Sequence, residues 1–145
     1  MDSFKFQIFC VETYSAHIAK PINVIYSTFK ETGLLDLLKT NYLDLHGLGS
    51  EALSHFFDEY MQAHSQCLFT TKAFNTSNEF TSVRAIVIPE IIRLISEKYN
   101  VSLEAAMDMF YNSKTALDYE NDETGYYGYS PLHIFTIFVK EQEEK

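Results

Sequence analysis

His55 and Glu59 stand four residues apart, with Asp58 between them and His64 further along the same stretch. On a helix this spacing puts an imidazole and a carboxylate on one face, the minimum from which a divalent metal site is built. The second histidine of an HExxH site is missing, and no Cys/His cluster accompanies the pair, so a solvated helix face is the expected reading. Cys10 and His17 are seven residues apart, two helical turns. A thiolate–imidazole pair needs hydrogen-bond contact, which that separation does not give, so Cys10 is expected as a buried, reduced thiol. The run from Asp118 to Tyr129 has the length and acidity of a calcium loop. It carries Glu123 where the loop needs glycine and Tyr129 where it needs glutamate. None of the five glycines forms a GxGxxG or a P-loop, and no GxSxG is present. His46 and His133 each follow a leucine, a place where histidine is commonly a structural hydrogen-bonding group. No catalytic, cofactor or metal-ligating residues are therefore assigned, and the chain is not expected to be an enzyme.

The same acidic run reads better as a contact surface for a protein partner. Tyr119, Tyr126, Tyr127 and Tyr129 supply rigid amphipathic area, and Glu120, Asp122 and Glu123 surround it with negative charge. Tyrosine is enriched at interfaces because its ring packs while its hydroxyl stays hydrogen-bonded. The partner-binding residues expected are Tyr119, Glu120, Asp122, Glu123, Tyr126 and Tyr127. The competing reading is that these tyrosines cover the ends of helices.

The elements around these residues read as helices. Phe6, Phe9, Cys10, Thr13, Tyr14 and His17 recur at three- and four-residue steps over about 4–18. Pro21 opens a helix with Ile22, Ile25 and Phe29 inward, and Gly33 supplies its left-handed end. A leucine-rich segment (Leu34, Leu35, Leu37, Leu38) and the turn His46–Gly49 follow. Ser50 then caps a helix facing Leu53, Phe56, Phe57, Tyr60 and Met61 inward. Helical periodicity fades from 65 to 82, where Phe69, Phe74 and Phe80 argue for a linker that lies on the body. It resumes near Ile86, with Pro89 in the first turn and a stripe of Ile88, Ile91, Ile92, Ile95 and Tyr99. Ser102 caps a helix with Leu103, Ala106, Met107 and Phe110 inward. Ser130-Pro131 opens the last helix, holding Leu132, Phe135, Ile137 and Phe138. Val83–Ile88 and 117–129 are each short enough to hold a strand, the latter as a β-hairpin.

The two halves resemble each other. A single offset of 81 residues pairs Ser15 with Ser96, Ile22 with Leu103 and Phe29 with Phe110. Leu45-His46 and Leu132-His133 align if six residues are inserted into the second copy. The expected fold is all-α, two tandem units of three to four helices (1–64 and 83–145) joined by 65–82 and packed as one compact body. A repeat supplies like faces that stack, which suits a binding scaffold better than an active site.

The formal net charge is −9, from 20 acidic and 11 basic residues. Residues 1–64 hold 8 acidic and 4 basic residues, and 83–145 hold 11 and 6, so both halves are acidic. Such a surface repels phosphate backbones, which argues against nucleic acid and for a partner with a basic face. Cys10 and Cys67 are too few for a disulfide framework, the N-terminal residues lack a secretion signal, and no run reaches membrane-spanning length. The expected compartment is the cytoplasm.

The first half resembles a family of small bacterial proteins described as domain of unknown function 3791. The resemblance is carried by Phe9-Cys10-Val11-Glu12-Thr13-Tyr14, Ile25-Tyr26-Ser27-Thr28-Phe29, Gly33-Leu34-Leu35-Asp36-Leu37-Leu38, Tyr42-Leu43-Asp44-Leu45-His46-Gly47 and Asp58-Glu59-Tyr60. The second half is similar to shorter companions of that type through Ile88-Pro89-Glu90-Ile91-Ile92, Phe110-Tyr111-Asn112-Ser113-Lys114-Thr115 and Ser130-Pro131-Leu132. The family brings no catalytic residues. It implies an antitoxin or accessory role, since relatives are encoded beside proteins resembling ADP-ribosyltransferase toxins. A self-associating homodimer is the alternative expectation.

Overall fold

A computed structural model describes residues 2–18, 20–64 and 81–144. The fold is all-α. The order is α1 (Ser3–Ile18), α2 (Ile22–Glu31), α3 (Leu34–Thr40), α4 (Tyr42–Leu45), α5 (Ser50–His64), α6 (Thr81–Tyr99), α7 (Leu103–Tyr111), α8 (Lys114–Glu120) and α9 (Pro131–Glu143). Two 3-10 turns, Asp122–Thr124 and Tyr126–Gly128, join α8 to α9. The 65–80 connection lies outside the described residues, with Cys67, Phe69, Phe74 and Phe80, as do the side chains of Ser50 and His64.

Helix ends follow local chemistry. Gly33 takes φ +82°, a left-handed conformation that a Cβ would strain, and turns the chain between α2 and α3. The Ser102 hydroxyl accepts from the Ala105 N–H (3.1 Å), and that of Ser130 from His133 (3.2 Å) with Pro131 behind it, as their spacing predicts.

α1 and α6 lie against each other at the centre. α2, α3 and α5 pack around α1, while α7 and α9 pack against α6. The central position explains why α1 lacks a simple stripe: Gln7, Glu12 and Ser15 are buried beside Phe6, Ile8, Cys10, Val11 and Tyr14, while His17 is exposed. The Cys10 thiol is buried and free, and burial pushes its pKa up, so it stays protonated.

Several expectations are corrected. Val83–Ile88 is helix, and α6 begins at Thr81, so Pro89 sits mid-helix rather than in a first turn. No strand occurs among the described residues, and the hairpin expected within 117–129 is instead the end of α8 followed by the two 3-10 turns. α8 forms because its first N–H groups are satisfied from two directions. Ser113 Oγ accepts from Ala116 N (3.1 Å), and the Glu141 carboxylate on α9 accepts from Lys114 N (3.1 Å) and Thr115 N (2.8 Å). Leu103, placed inward by periodicity, lies in the first turn of α7 and is exposed, as is Leu132 in the first turn of α9, by 62%.

The 81-residue step persists in three dimensions without any insertion. α1 ends at Ile18 and α6 at Tyr99; α2 starts at Ile22 and α7 at Leu103; α5 starts at Ser50 and α9 at Pro131. Ser15 Oγ donates to Lys20 O (2.7 Å) and Ser96 Oγ to Val101 O (2.6 Å), closing equivalent turns. Buried Leu53 and Phe57 match buried Ile134 and Phe138. Tyr60 Oη donates to Thr32 O (2.7 Å) beside the Gly33 turn, where its counterpart Glu141 binds the start of α8. The six-residue insertion inferred from Leu45-His46 and Leu132-His133 is thereby overturned. His46 follows the end of α4, whereas His133 lies in the first turn of α9.

Candidate functional site

The segment expected to form a contact surface divides into an interior and an exterior part. Tyr119 and Glu120 end α8 and are buried, so they belong to the core rather than to a surface. Glu123 is exposed, Tyr126 and Tyr127 are half-buried against the core, and the Asp122 side chain lies outside the described residues. The exterior part is ordered by its own rings. Tyr126 stacks on Tyr129 at 5.2 Å between ring centres, and Tyr129 stacks on His133 at 4.3 Å, the two planes 4° apart. The Thr124 hydroxyl holds the turn by donating to Asp118 O (2.7 Å), and Asn121 Oδ1 accepts from Glu123 N (3.0 Å). His133 was absent from the expected surface, although its four-residue spacing from Tyr129 was the available signal.

Tyr119 and Glu120 point instead to a buried polar cluster that draws on four helices. Arg84 (α6), 1% exposed, places Nε 2.7 Å from Glu120 (α8) and 3.5 Å from Glu12 (α1). The hydroxyl of Tyr111 (α7) donates to Glu12 Oε2 (3.1 Å). Burial, followed by the charge of Glu120 and a hydrogen bond shared with it, holds the Glu12 carboxyl well above the usual carboxylate range. Arg84 and Tyr111 oppose that rise. A carboxyl raised in this way favours its protonated form, which lessens the repulsion between Glu12 and Glu120. Burial and the two glutamates likewise raise the pKa of Tyr111 and keep its hydroxyl a donor. The signal available in the sequence was a lone charge inside an apolar run, Val11-Glu12 and Val83-Arg84-Ala85-Ile86.

This cluster has a definite pH signature. Glu12 has a folded pKa raised above its unfolded value, so its contribution is complete below the ordinary glutamate range and is lost as pH rises through the folded value. Glu12→Gln is expected to flatten the decline of stability above that range, and urea unfolding at a series of pH values from 4 upward reads it. An unchanged pH slope in E12Q would show that Glu12 does not hold the proton.

A third polar group lines a cleft of about 420 Å³ between α1, α5 and the start of α6. The Tyr14 hydroxyl donates to Asp58 Oδ1 (2.7 Å), and Asp58 Oδ2 lies 3.3 Å from His17 Nε2. His55 meets Glu59 at 3.1 Å on the outer face, as its spacing predicts, with both side chains more than half exposed. A carboxylate that orients an imidazole can serve proton transfer. Here the His17 and Asp58 side chains are 43% and 39% exposed, and their visible effect is to tie α5 to α1. Among the described residues no group of three or more His, Cys, Asp or Glu side chains is placed to hold a metal ion. No described helix is long and apolar enough to cross a membrane.

Fold and sites together define an all-helical protein whose halves are tied by a buried ion cluster and whose surface carries a stacked aromatic ladder. Residues 5–64 match the model of a family described as Protein of unknown function (DUF3791). That match covers α1 to α5, and Glu12 lies within it. No curated protein and no solved structure matches the chain.

Proposed function

We propose that the chain is a non-catalytic, cytoplasmic protein-binding module built as a tandem of two DUF3791-like units. It acts as an antitoxin or accessory protein on a partner enzyme with a basic surface, of the ADP-ribosyltransferase-like toxin type that the family resemblance implies. The observation that carries this reading is the Tyr126–Tyr129–His133 ladder. Leu132, next to His133 in the chain, is 62% exposed, and exposed Glu123 adds negative charge. Stacked rings lose little entropy on docking, and an exposed leucine is the kind of anchor that binding hot spots use. The net charge of −9 adds attraction for a basic partner. The shared 81-residue step of helices, hydrogen bonds and buried positions supports the tandem.

The test is capture on the immobilised full chain, with an ADP-ribosyltransferase-like enzyme expected near one-to-one and released by salt. Leu132→Asp is expected to weaken capture at least ~30-fold, corresponding to about 2 kcal/mol. Its thermal midpoint should stay within about 2 °C of the parent, because an exposed site carries little folding energy. Recovery of no such enzyme, or equal capture by L132D, would overturn this reading.

A further inference from the structure

We infer that α1 is a self-pairing surface, and that the halves of this chain meet across it as the protomers of a two-fold dimer do; the inference rests on the tandem reading. α1 and α6 run antiparallel. Near one end Glu12 meets Arg84, and near the other Arg93, the 81-residue counterpart of Glu12, meets Asp2 (3.4 Å) and the Phe4 ring (5.8 Å to its centre). Those two residues flank Ser3, the counterpart of Arg84. Each partner therefore offers the same place to the other, which is the signature of an isologous contact. The midpoint falls at Gln7-Ile8 against Ile88-Pro89, and all four residues are buried.

The reciprocity extends beyond the central pair. Tyr26 (α2) stacks on Tyr111 (α7) at 4.7 Å, and their counterparts Met107 and Lys30 line one cleft of about 190 Å³. Lys39 (α3) meets Glu104 (α7) at 3.0 Å, and their counterparts Glu120 and Asn23 lie on α8 and α2, which also pack together. Helices related by simple translation would not exchange partners in this way.

The charges say which second unit fits. Glu12 lies beside Arg84, Tyr111 and Glu120, whose counterparts in the first half are Ser3, Lys30 and Lys39. Two first halves paired in this register would bring Glu12 of one to the lysines of the other. When α6 is displaced, the occupant of α1 is therefore a second copy of the first half, whose Lys30 and Lys39 come to Glu12 in place of Arg84. In the intact chain α6 occupies that surface, and residues 65–80 serve to raise the local concentration of the second half.

The experiment uses the full chain with a protease site inserted between Asn75 and Thr76, cleaved after purification. At micromolar concentration the two fragments are expected to elute together at the mass of the intact chain. The thermal midpoint of the nicked protein should rise with protein concentration, whereas that of the uncut chain should not. When nicked protein tagged on its first half is mixed with untagged nicked protein, pull-down should recover the second half near one-to-one and untagged first half as a minor fraction. Fragments that separate on cutting, or that lose their helical signal, overturn the dimer-like contact. Absence of untagged first half overturns self-pairing. Both readouts use the purified chain alone, so they stand or fall separately from capture of an enzyme.

Discussion

Arg84→Met is expected to destabilise the protein by about 3–5 kcal/mol at neutral pH, the cost of removing one partner from a buried ion pair. The side chain is 1% exposed, and its guanidinium lies against both Glu12 and Glu120. Methionine fills much of the same volume, so the loss reports charge rather than cavity. The thermal midpoint should fall by about 10 °C. The deficit should shrink as pH falls, because protonation of the second carboxyl removes the uncompensated charge. E12Q/R84M/E120Q, with no charge left to bury, should recover most of the loss. Urea unfolding at two pH values decides the matter, and a cost below about 1 kcal/mol would mean that water reaches the cluster.

Phe29→Ala is expected to cost about 3–5 kcal/mol by loss of burial and by the cavity left behind. Phe29 is fully buried on α2, its ring 5.7 Å from Tyr14 on α1 and 5.5 Å from Phe57 on α5, so it joins three helices of the first half. Phe110, its counterpart, packs against Tyr111 and, at 6.4 Å, against Phe138 on α9. Phe110→Ala should therefore fall within about 1 kcal/mol of Phe29→Ala if the halves share one packing plan. Denaturant unfolding of both variants measures it, and a cost under about 1.5 kcal/mol at either site would show that the surrounding helices close the cavity.

Much of the fold is legible in the sequence because its signals are local. Leu53, Phe57 and Met61, or Ile88, Ile91, Ile92 and Ile95, repeat at helical steps and are buried as that spacing requires. Gly33, Ser102 and Ser130 mark helix ends through chemistry contained in a few residues. What escapes reading depends on groups distant in the chain. α8 is only seven residues long, and part of what holds its first turn is Glu141. Pro89 would end a solvated helix, yet α6 runs through it because its flanks are buried against α1. The candidate surface was half legible: the tyrosines are present, but Tyr119 and Glu120 turn inward because Arg84 and Glu12 wait there, and no short-range pattern joins residue 12 to residue 120. The same distance hid Asp58, which serves Tyr14 and His17 rather than His55.

The placement of α1 at the centre has a consequence in time. At a synthesis rate of ~5–20 residues per second, the roughly 35 residues from the end of α5 to the end of α6 take about 2–7 s to make. Throughout that interval α1 of the nascent first half lacks its α6 cover. Neighbouring ribosomes on one message hold such helices close together. Chains released there can exchange halves, each α1 covered by the α6 of another molecule, so crowded synthesis should raise the yield of interlocked pairs.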